Sequence, residues 1–349
     1  MLIDREYIID YEQLWQSMLK CQRNVRWKPS VKRFVINAPE EVVRMHDELA
    51  SGKWRNGVPK PIQITYPKKR EALSILFRDR VYQRSINDNY LYPTMTKHFI
   101  YDNVACQKGK GPSFARRRVK ELLWNFYCNS GSNYHSVNGY VLQLDIKGYY
   151  PNMKHDEVNK CFKKNVDPEI YEMIVDILEN QYSGSVGYNP GSQMVQIAGI
   201  SLLNPLDHYI KEKLHIKWFI RYNDDFLIFH GSRLYLEEVL KNISQSLSDL
   251  GFSINAKKTT IKPLSKGFTF LGFCYRILKS GKVIMTLKSE NVHHERKKLY
   301  RMVQKCKRGE MSKFTVEQSF DSWKRHAEQG NSWKLIQRME KYYANLWRD

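Results

Sequence analysis

The sequence predicts an α+β fold built on a sheet with helices on one face. Three observations carry this reading. Two apolar, β-prone runs end or turn on acidic residues: Tyr140-Val141-Leu142-Gln143-Leu144-Asp145 and Phe219-Ile220-Arg221-Tyr222-Asn223-Asp224-Asp225-Phe226-Leu227-Ile228-Phe229. Stretches with helical spacing lie between and after them, so the order reads strand, helices, strand hairpin, helix, strand. The 349 residues contain no internal repeat or low-complexity block and suffice for a sizeable core in two or three subdomains.

From the N-terminus, residues 7–24 and 38–52 read as helices, the second opened by Pro39-Glu40-Glu41. Ile62-Gln63-Ile64-Thr65-Tyr66 reads as a strand, followed by the basic turn Pro67-Lys68-Lys69-Arg70. A helix is expected over 77–92. Residues 101–113 read as a loop around Lys108-Gly109-Lys110-Gly111, which lacks the spacing of a phosphate-binding P-loop. Strand 140–146 precedes helices at 155–164 and 168–182, a loop from Gly184 to Gly191, and a long helix from Ser192 to Lys213. The hairpin spans 216–230 with Asn-Asp at its turn, because both residue types tolerate the backbone that joins two strands. Helix 234–250 leads to Gly251-Phe252-Ser253-Ile254-Asn255, which opens a β-rich region ending near Met285. Val292, Leu299, Met302, Val303 and Cys306 then form an apolar helical stripe. Helices at about 315–328 and 332–347 carry Trp323, Trp333, Leu335, Ile336, Met339, Tyr343 and Leu346, and the three read as a small bundle with a basic face.

Charge narrows the function. Lys and Arg number 57 against 36 acidic residues, a net charge of +21. That excess points to a polyanion partner. A membrane surface shares the attraction, but there is no apolar run of membrane-spanning length, and the polar start Met1-Leu2-Ile3-Asp4-Arg5-Glu6 is no signal peptide. The expectation is a cytoplasmic protein with no membrane partner. The 22 Tyr suit base stacking as well as core packing. Cys21, Cys106, Cys128, Cys161, Cys274 and Cys306 show no metal-ligand spacing and read as free thiols in a reducing compartment. The pair His293-His294 lies in a very basic helix and reads as phosphate contact or plain surface rather than a metal site.

The acidic residues carry the chemistry. An isolated Asp224-Asp225 pair would read as a solvated turn. Asp145, closing a second apolar run, changes that, because three carboxylates at the ends of buried strands are costly unless paired or metal-bound. In so basic a chain, a divalent cation that also holds phosphate is the leading partner. The set matches what two-metal phosphoryl transfer requires: one ion to activate a 3′-hydroxyl and one to neutralise leaving pyrophosphate.

With these blocks in order, the chain resembles a bacterial reverse transcriptase over residues 35–345. The strand ending in Asp145 and the Tyr222-Asn223-Asp224-Asp225 element match the family's two catalytic palm motifs. Phe77-Arg78-Asp79-Arg80-Val81-Tyr82-Gln83 is similar to the fingers block that follows the basic turn. Ile254-Asn255-Ala256-Lys257-Lys258-Thr259 is similar to the next palm motif, and Phe270-Leu271-Gly272-Phe273 to the primer grip. The resemblance implies a right-hand polymerase: a helical N-terminal extension over 1–34, fingers with part of the palm over 35–139, a ferredoxin-like palm over 140–285 with a finger insertion near 155–190, and a short helical thumb over 286–349. It implies an RNA-directed DNA polymerase with two Mg²⁺ ions, or Mn²⁺ in their place, held by Asp145, Ile146, Asp224 and Asp225.

The resemblance also distributes further roles. Lys68, Lys69 and Arg70 would grip the triphosphate, with Gln196 also at the nucleotide. Lys258 would serve as general acid near the pyrophosphate, with Lys257 as alternative by one residue of register. Tyr150 would be a steric gate against the 2′-hydroxyl, with Tyr149 the alternative. Arg78, Arg80, Lys108, Lys110, Tyr222, Leu271, Gly272, Arg296, Lys297 and Arg301 would contact nucleic acid, mostly through its backbone. Template RNA, its cDNA and dNTPs are the implied partners.

Within the family, the compact length and Phe320-Asp321-Ser322-Trp323-Lys324-Arg325-His326-Ala327 resemble reverse transcriptases of diversity-generating retroelements and related unclassified enzymes, some of them in antiphage defence. A retroelement role implies a dedicated noncoding RNA and a small basic accessory protein. Asn189-Pro190-Gly191-Ser192-Gln193-Met194-Val195-Gln196 departs from the family at Pro190, Met194 and Val195, which predicts looser control of base-pair geometry. Rival readings are a catalytically silent RNA-binding scaffold, opposed by the intact carboxylates, and an RNA-templated RNA polymerase, opposed by Tyr150.

Overall fold

A computed structural model describes residues 4–64, 70–132, 136–188 and 191–348, with Arg70 by its backbone alone. Thr65 to Lys69, the Arg70 side chain, Asn189 and Pro190 lie outside the described residues. The expectations for the basic turn and for the start of the loop before Ser192 therefore have no structural counterpart.

Four helices open the chain: α1 (Arg5–Ile9), α2 (Tyr11–Cys21), α3 (Pro29–Ile36) and α4 (Ala38–Ala50). The expected helix over 7–24 breaks at Asp10, whose side chain accepts from Glu12 N and caps α2. Strands β1 (Lys60–Ile64) and β2 (Arg70–Ser74) pair antiparallel. Next come α5 (Phe77–Ile86), a π-helical turn Asn87–Leu91 and α6 (Tyr92–Thr96), where a single helix over 77–92 was expected. The segment after the Gly/Lys loop forms α7 (Pro112–Asn129), an element the sequence reading did not propose.

The central sheet consists of β3 (Tyr140–Asp145), β4 (Phe219–Tyr222), β5 (Asp225–His230) and β6 (Thr260–Pro263), in the antiparallel order β4-β5-β3-β6. Between β3 and β4 run α8 (His155–Asn165), α9 (Pro168–Gln181), α10 (Gln193–Leu202) and α11 (Asn204–His208), with a π-helical turn at Tyr209–Lys213. The expected long helix from Ser192 is thus broken before Pro205, which cannot donate to a continuing helix. Helix α12 (Arg233–Asp249) follows β5. Residues 251–255 make only an isolated bridge, Ile254 with Ile146, rather than a strand. A second sheet is β7 (Phe268–Phe270), β8 (Phe273–Ile277) and β9 (Val283–Leu287). Helices α13 (Ser289–Lys307), α14 (Lys313–Ala327) and α15 (Trp333–Asn345) end the chain around Leu299, Phe320 and Met339.

Strand side chains alternate between faces, and here both faces are buried. Leu142, Leu144, Phe219, Phe226 and Ile228 join one core with Leu236, Val239, Ile243 and Leu247 of α12. Val141, Ile220, Leu227 and Phe229 join another with Val119, Leu122, Leu123 and Phe126 of α7 and with the second sheet. The expectation of helices on one face only is therefore corrected. The second apolar set on each strand needed a cover, and α7 with β7–β9 supplies it. All six cysteines are free thiols. Among the described residues no helix is long and apolar enough to cross a membrane.

Candidate active site

The hairpin β4–β5 turns through Asn223 and Asp224, with Tyr222 paired to Asp225. Asn223 takes φ +53°, the left-handed backbone such a turn requires. Across the sheet, Asp145 is the register partner of Asp225. By alternation Asp145 shares its face with Gln143 and Val141, and Asp225 shares its face with Leu227 and Phe229. Two carboxylates from adjacent strands thus meet on one face, with Asp224 at the turn beside them. The Ile146 amide donates to the Asp224 carbonyl at 3.3 Å and ties the two strand ends together.

A cleft of about 550 Å³ opens over this point, lined by Asp145, Asp224, Asp225, Lys257, Lys258, Lys288 and the Phe270–Gly272 turn. That turn joins β7 to β8 with Leu271 at φ +45° and Gly272 at φ +84°, so Leu271 and Gly272 sit at its tip and line the same cleft as the carboxylates. Gln143 fastens this second sheet to the first by donating to the Thr269 carbonyl at 2.6 Å.

Electrostatics separate the three acids. Asp145 is satisfied twice: Lys258 Nζ lies 2.6 Å from one carboxylate oxygen, and Asn255 Nδ2 donates to the other at 2.9 Å. The Asn255 amide also donates to the Asp145 carbonyl at 2.7 Å. Lys258 is raised in pKa, chiefly by its hydrogen bond to Asp145. Asp224 and Asp225 have no ion-pair partner among the described residues. Burial raises both, and with the Asp224 and Asp145 charges beside it Asp225 reaches about 7. Among the described residues no three His, Cys, Asp or Glu side chains close into a metal centre. The donor set is nonetheless all carboxylate oxygen, which suits a hard divalent ion, and Asp225 is held in a field that a cation would relieve.

Of the two tyrosines, Tyr149 is fully buried and its hydroxyl donates to the Gly199 carbonyl. Tyr150 is half-buried, and burial with the nearby Cys106 and Asp224 raises its hydroxyl strongly. Both rings press on α10, where a Cβ at Gly199 would lie 3.1 Å from Tyr150 Cε1. Gln196 is exposed on α10 and lines a separate 260 Å³ pocket with Gln193, Cys106, Arg84 and Asn87. Met194 and Val195 are 0% and 1% exposed in the main core. The looser base-pair control expected from them loses its basis, since their side chains serve packing.

Several cations assigned to nucleic acid have internal partners. Arg78 pairs with Glu48 and lies 4.2 Å over the Trp54 ring. Lys110 donates to the Tyr101 carbonyl at 2.8 Å and the Asn103 carbonyl at 3.2 Å. Arg80 packs over Phe77, and Lys108 stands 4.8 Å over the Tyr92 ring. Arg296 lies over Tyr342 and reaches Met339 Sδ. Lys297 and Arg301 are exposed one turn apart on α13. Tyr222 is half-buried at the hairpin turn.

The sequence reading missed Asn255 as a partner of Asp145, and it missed Arg221. Arg221 is wholly buried behind the acidic turn. Its Nε donates to Asp207 Oδ1 at 2.6 Å, Nη1 to the Asn223 carbonyl at 2.9 Å, and Nη2 to the Ile200 carbonyl at 3.0 Å. It joins the turn to α10 and α11. A charged residue inside an apolar strand was the available signal.

A family model described as reverse transcriptase (RNA-dependent DNA polymerase) matches residues 70–275, more than half of the chain. Among solved structures the chain is similar to one of telomerase from Candida albicans in complex with the TWJ fragment of telomeric RNA. The match has TM-score 0.51 and 11% identity, and covers 72% of this chain and 51% of that one. The chain thus spans about half the length of the telomerase chain, and the likeness is one of fold. No curated protein matches the chain.

Proposed function

The chain belongs to the reverse transcriptase (RNA-dependent DNA polymerase) family, with a right-hand polymerase fold, and from that premise we propose that it copies an RNA template into cDNA in the cleft over Asp145, Asp224 and Asp225. The observation that carries this is the in-register meeting of Asp145 and Asp225, with Asp224 at the adjoining turn. Asp145, Asp224, Asp225 and the Ile146 carbonyl would hold two Mg²⁺. Bound divalent cations supply charge that activates the primer 3′-hydroxyl and offsets the negative charge of pyrophosphate.

The chain's own groups do the positioning. Leu271 and Gly272 line the same cleft from the second sheet and would seat the primer end. Tyr150, the more exposed of the two tyrosines, would lie under the incoming sugar and exclude a 2′-hydroxyl. Lys258 balances Asp145 before substrate arrives. Its exposed stem lets the ammonium reach leaving pyrophosphate and donate a proton there. Lys68, Lys69, Arg70 and Gln196 are proposed for the triphosphate side, and Lys297 with Arg301 for the duplex backbone. The subdivision into N-terminal extension, fingers, palm and thumb is part of the same proposal.

RNA-templated primer extension by the purified chain with Mg²⁺ tests the reading. Extension with dNTPs supports it. RNA binding without extension under any divalent ion would favour the silent scaffold. For the biological setting we favour a diversity-generating retroelement over antiphage defence, on the short three-helix C-terminal unit and its Phe320–Ala327 segment. Sequencing the nucleic acid that copurifies separates the two: a dedicated noncoding RNA with matching cDNA supports the retroelement. A small basic accessory protein would belong to the same setting.

A further inference from the structure

The segment from Lys20 to Arg33 contains no acidic residue. Arg23, Arg26, Lys28, Lys32 and Arg33 are all exposed, and none is in an ion pair among the described residues. In their midst Trp27 is 76% exposed, the only large apolar side chain so exposed between Lys20 and Arg33. An indole left in water is costly, and this one is held in place. Its Nε1–H donates to the Asn24 carbonyl at 3.2 Å, which fixes the ring edge. Asn24 takes φ +63°, and the turn is closed by Val25 N to the Gln22 carbonyl and Lys28 N to the Val25 carbonyl. Both ends of the segment are rooted: Cys21 Sγ meets the Arg80 carbonyl, and Val31 and Phe34 are buried. Lys28 Nζ stands 5.7 Å from the indole centroid. Helix α3 opens at Pro29 with no capping side chain, so its first amides add to the positive field.

We propose that this turn binds single-stranded nucleic acid, with Trp27 stacking on a base and the five surrounding cations holding the flanking phosphates. A fixed, exposed aromatic ring amid unpaired cations is the chemistry that captures unpaired bases without reading sequence. A duplex keeps its bases stacked and offers the ring nothing. An anionic lipid surface would take the charge, but it calls for several inserting apolar side chains, and the segment offers one. The strand is RNA if the family's RNA template is the unpaired strand that arrives here. That choice alone rests on the proposed function.

The test is binding without dNTPs, so that its failure leaves polymerisation untouched. Anisotropy is measured with an unstructured RNA oligonucleotide, the same sequence as DNA, and a blunt RNA duplex. The same RNA carrying 5-iodouridine is photocrosslinked and the adduct mapped by mass spectrometry. Trp27→Ala is expected to weaken single-strand binding about tenfold, Trp27→Phe to restore most of it, and duplex binding to stay unchanged. The crosslink is expected on the Trp27 peptide. An equal loss on DNA supports the site as one for single strands of either sugar. Unchanged RNA affinity in Trp27→Ala, a loss equal on duplex and single strand, or Trp27-dependent binding to phosphatidylserine vesicles alone would each overturn the proposal.

Discussion

Arg221 and Asp207 form an ion pair in which neither side chain reaches solvent, directly behind the turn that carries Asp224. The guanidinium spends its remaining hydrogen bonds on the carbonyls of Asn223 and Ile200, so one buried cation fixes the acidic turn against α10. Removing one partner of such a pair strands the other charge. Arg221→Met is therefore expected to cost about 3–5 kcal/mol of stability. The double variant Arg221→Met with Asp207→Leu should recover much of that loss. Chemical denaturation of the parent and the two variants checks it, and a double variant no better than the single would refute the coupling.

Asp225 gives a pH signature. Its folded pKa of about 7 lies above the ordinary 3.8, for reasons of burial and the neighbouring Asp224 and Asp145 charges. A raised carboxyl is neutral in the folded chain at pH 5 and charged at pH 8. Its stabilising contribution is fully present below the ordinary 3.8 and is lost progressively as pH rises from there to about 7. Asp225→Asn keeps the shape and removes the charge. In the presence of chelator it should stabilise the protein at pH 8 by on the order of 1 kcal/mol after solvent screening, and by almost nothing at about pH 3, where the carboxyl is protonated in the folded and unfolded chain alike. Equal effects at both pH values in urea melts would contradict the electrostatic account.

Tyr150 is expected to select the sugar. Tyr150→Val should lower the preference for dNTP over rNTP, read as the ratio of kcat/KM, by roughly tenfold or more, about 1–3 kcal/mol for the packing that one side chain supplies in a pocket. Tyr149→Phe should leave that ratio unchanged, because Tyr149 is core and its hydroxyl is engaged by Gly199. A ratio that moves with Tyr149 and not with Tyr150 would reverse the assignment.

The exposed pair on α13 should report on phosphate binding. Replacing Lys297 and Arg301 by Ala is expected to reduce the log–log salt slope of duplex binding by about 0.7–0.9 for each phosphate that is no longer neutralised. Arg296→Ala should instead act mainly on stability, since Arg296 packs over Tyr342. An unchanged slope in the double variant would make this face ordinary solvated surface.

The three acids were legible in the sequence because strand alternation and turn chemistry act locally: a β-prone run ending in Asp, and Asn-Asp between two apolar runs. The break at Pro205 is equally local, but the apolar periodicity on both sides of it reads as one longer helix. Helix α7 was not among the expected elements although Ala115, Val119, Leu122, Leu123 and Phe126 keep helical spacing, because the Gly/Lys segment before it carries the composition of a connection. Arg221 stood out as a charge inside an apolar strand, but the partners of Arg221 and Asn255 were not legible. Each depends on a partner from a distant segment, Asp207 and Asp145, and no periodicity encodes such a meeting. Met194 and Val195 show the converse: residues that looked like departures near a substrate turn out to pack the core.

We propose that Asp145, Asp224 and Asp225 perform phosphoryl transfer while exposed cations such as Lys297 and Arg301 hold nucleic acid. RNA-templated primer extension and RNA affinity, measured side by side on the parent and on Asp224→Ala, test it most directly. The account predicts that the variant loses incorporation while its affinity for the primer–template stays near the parent's, since the change removes charge stabilisation in the transition state and leaves the backbone contacts in place. Extension at the parental rate by Asp224→Ala would contradict it.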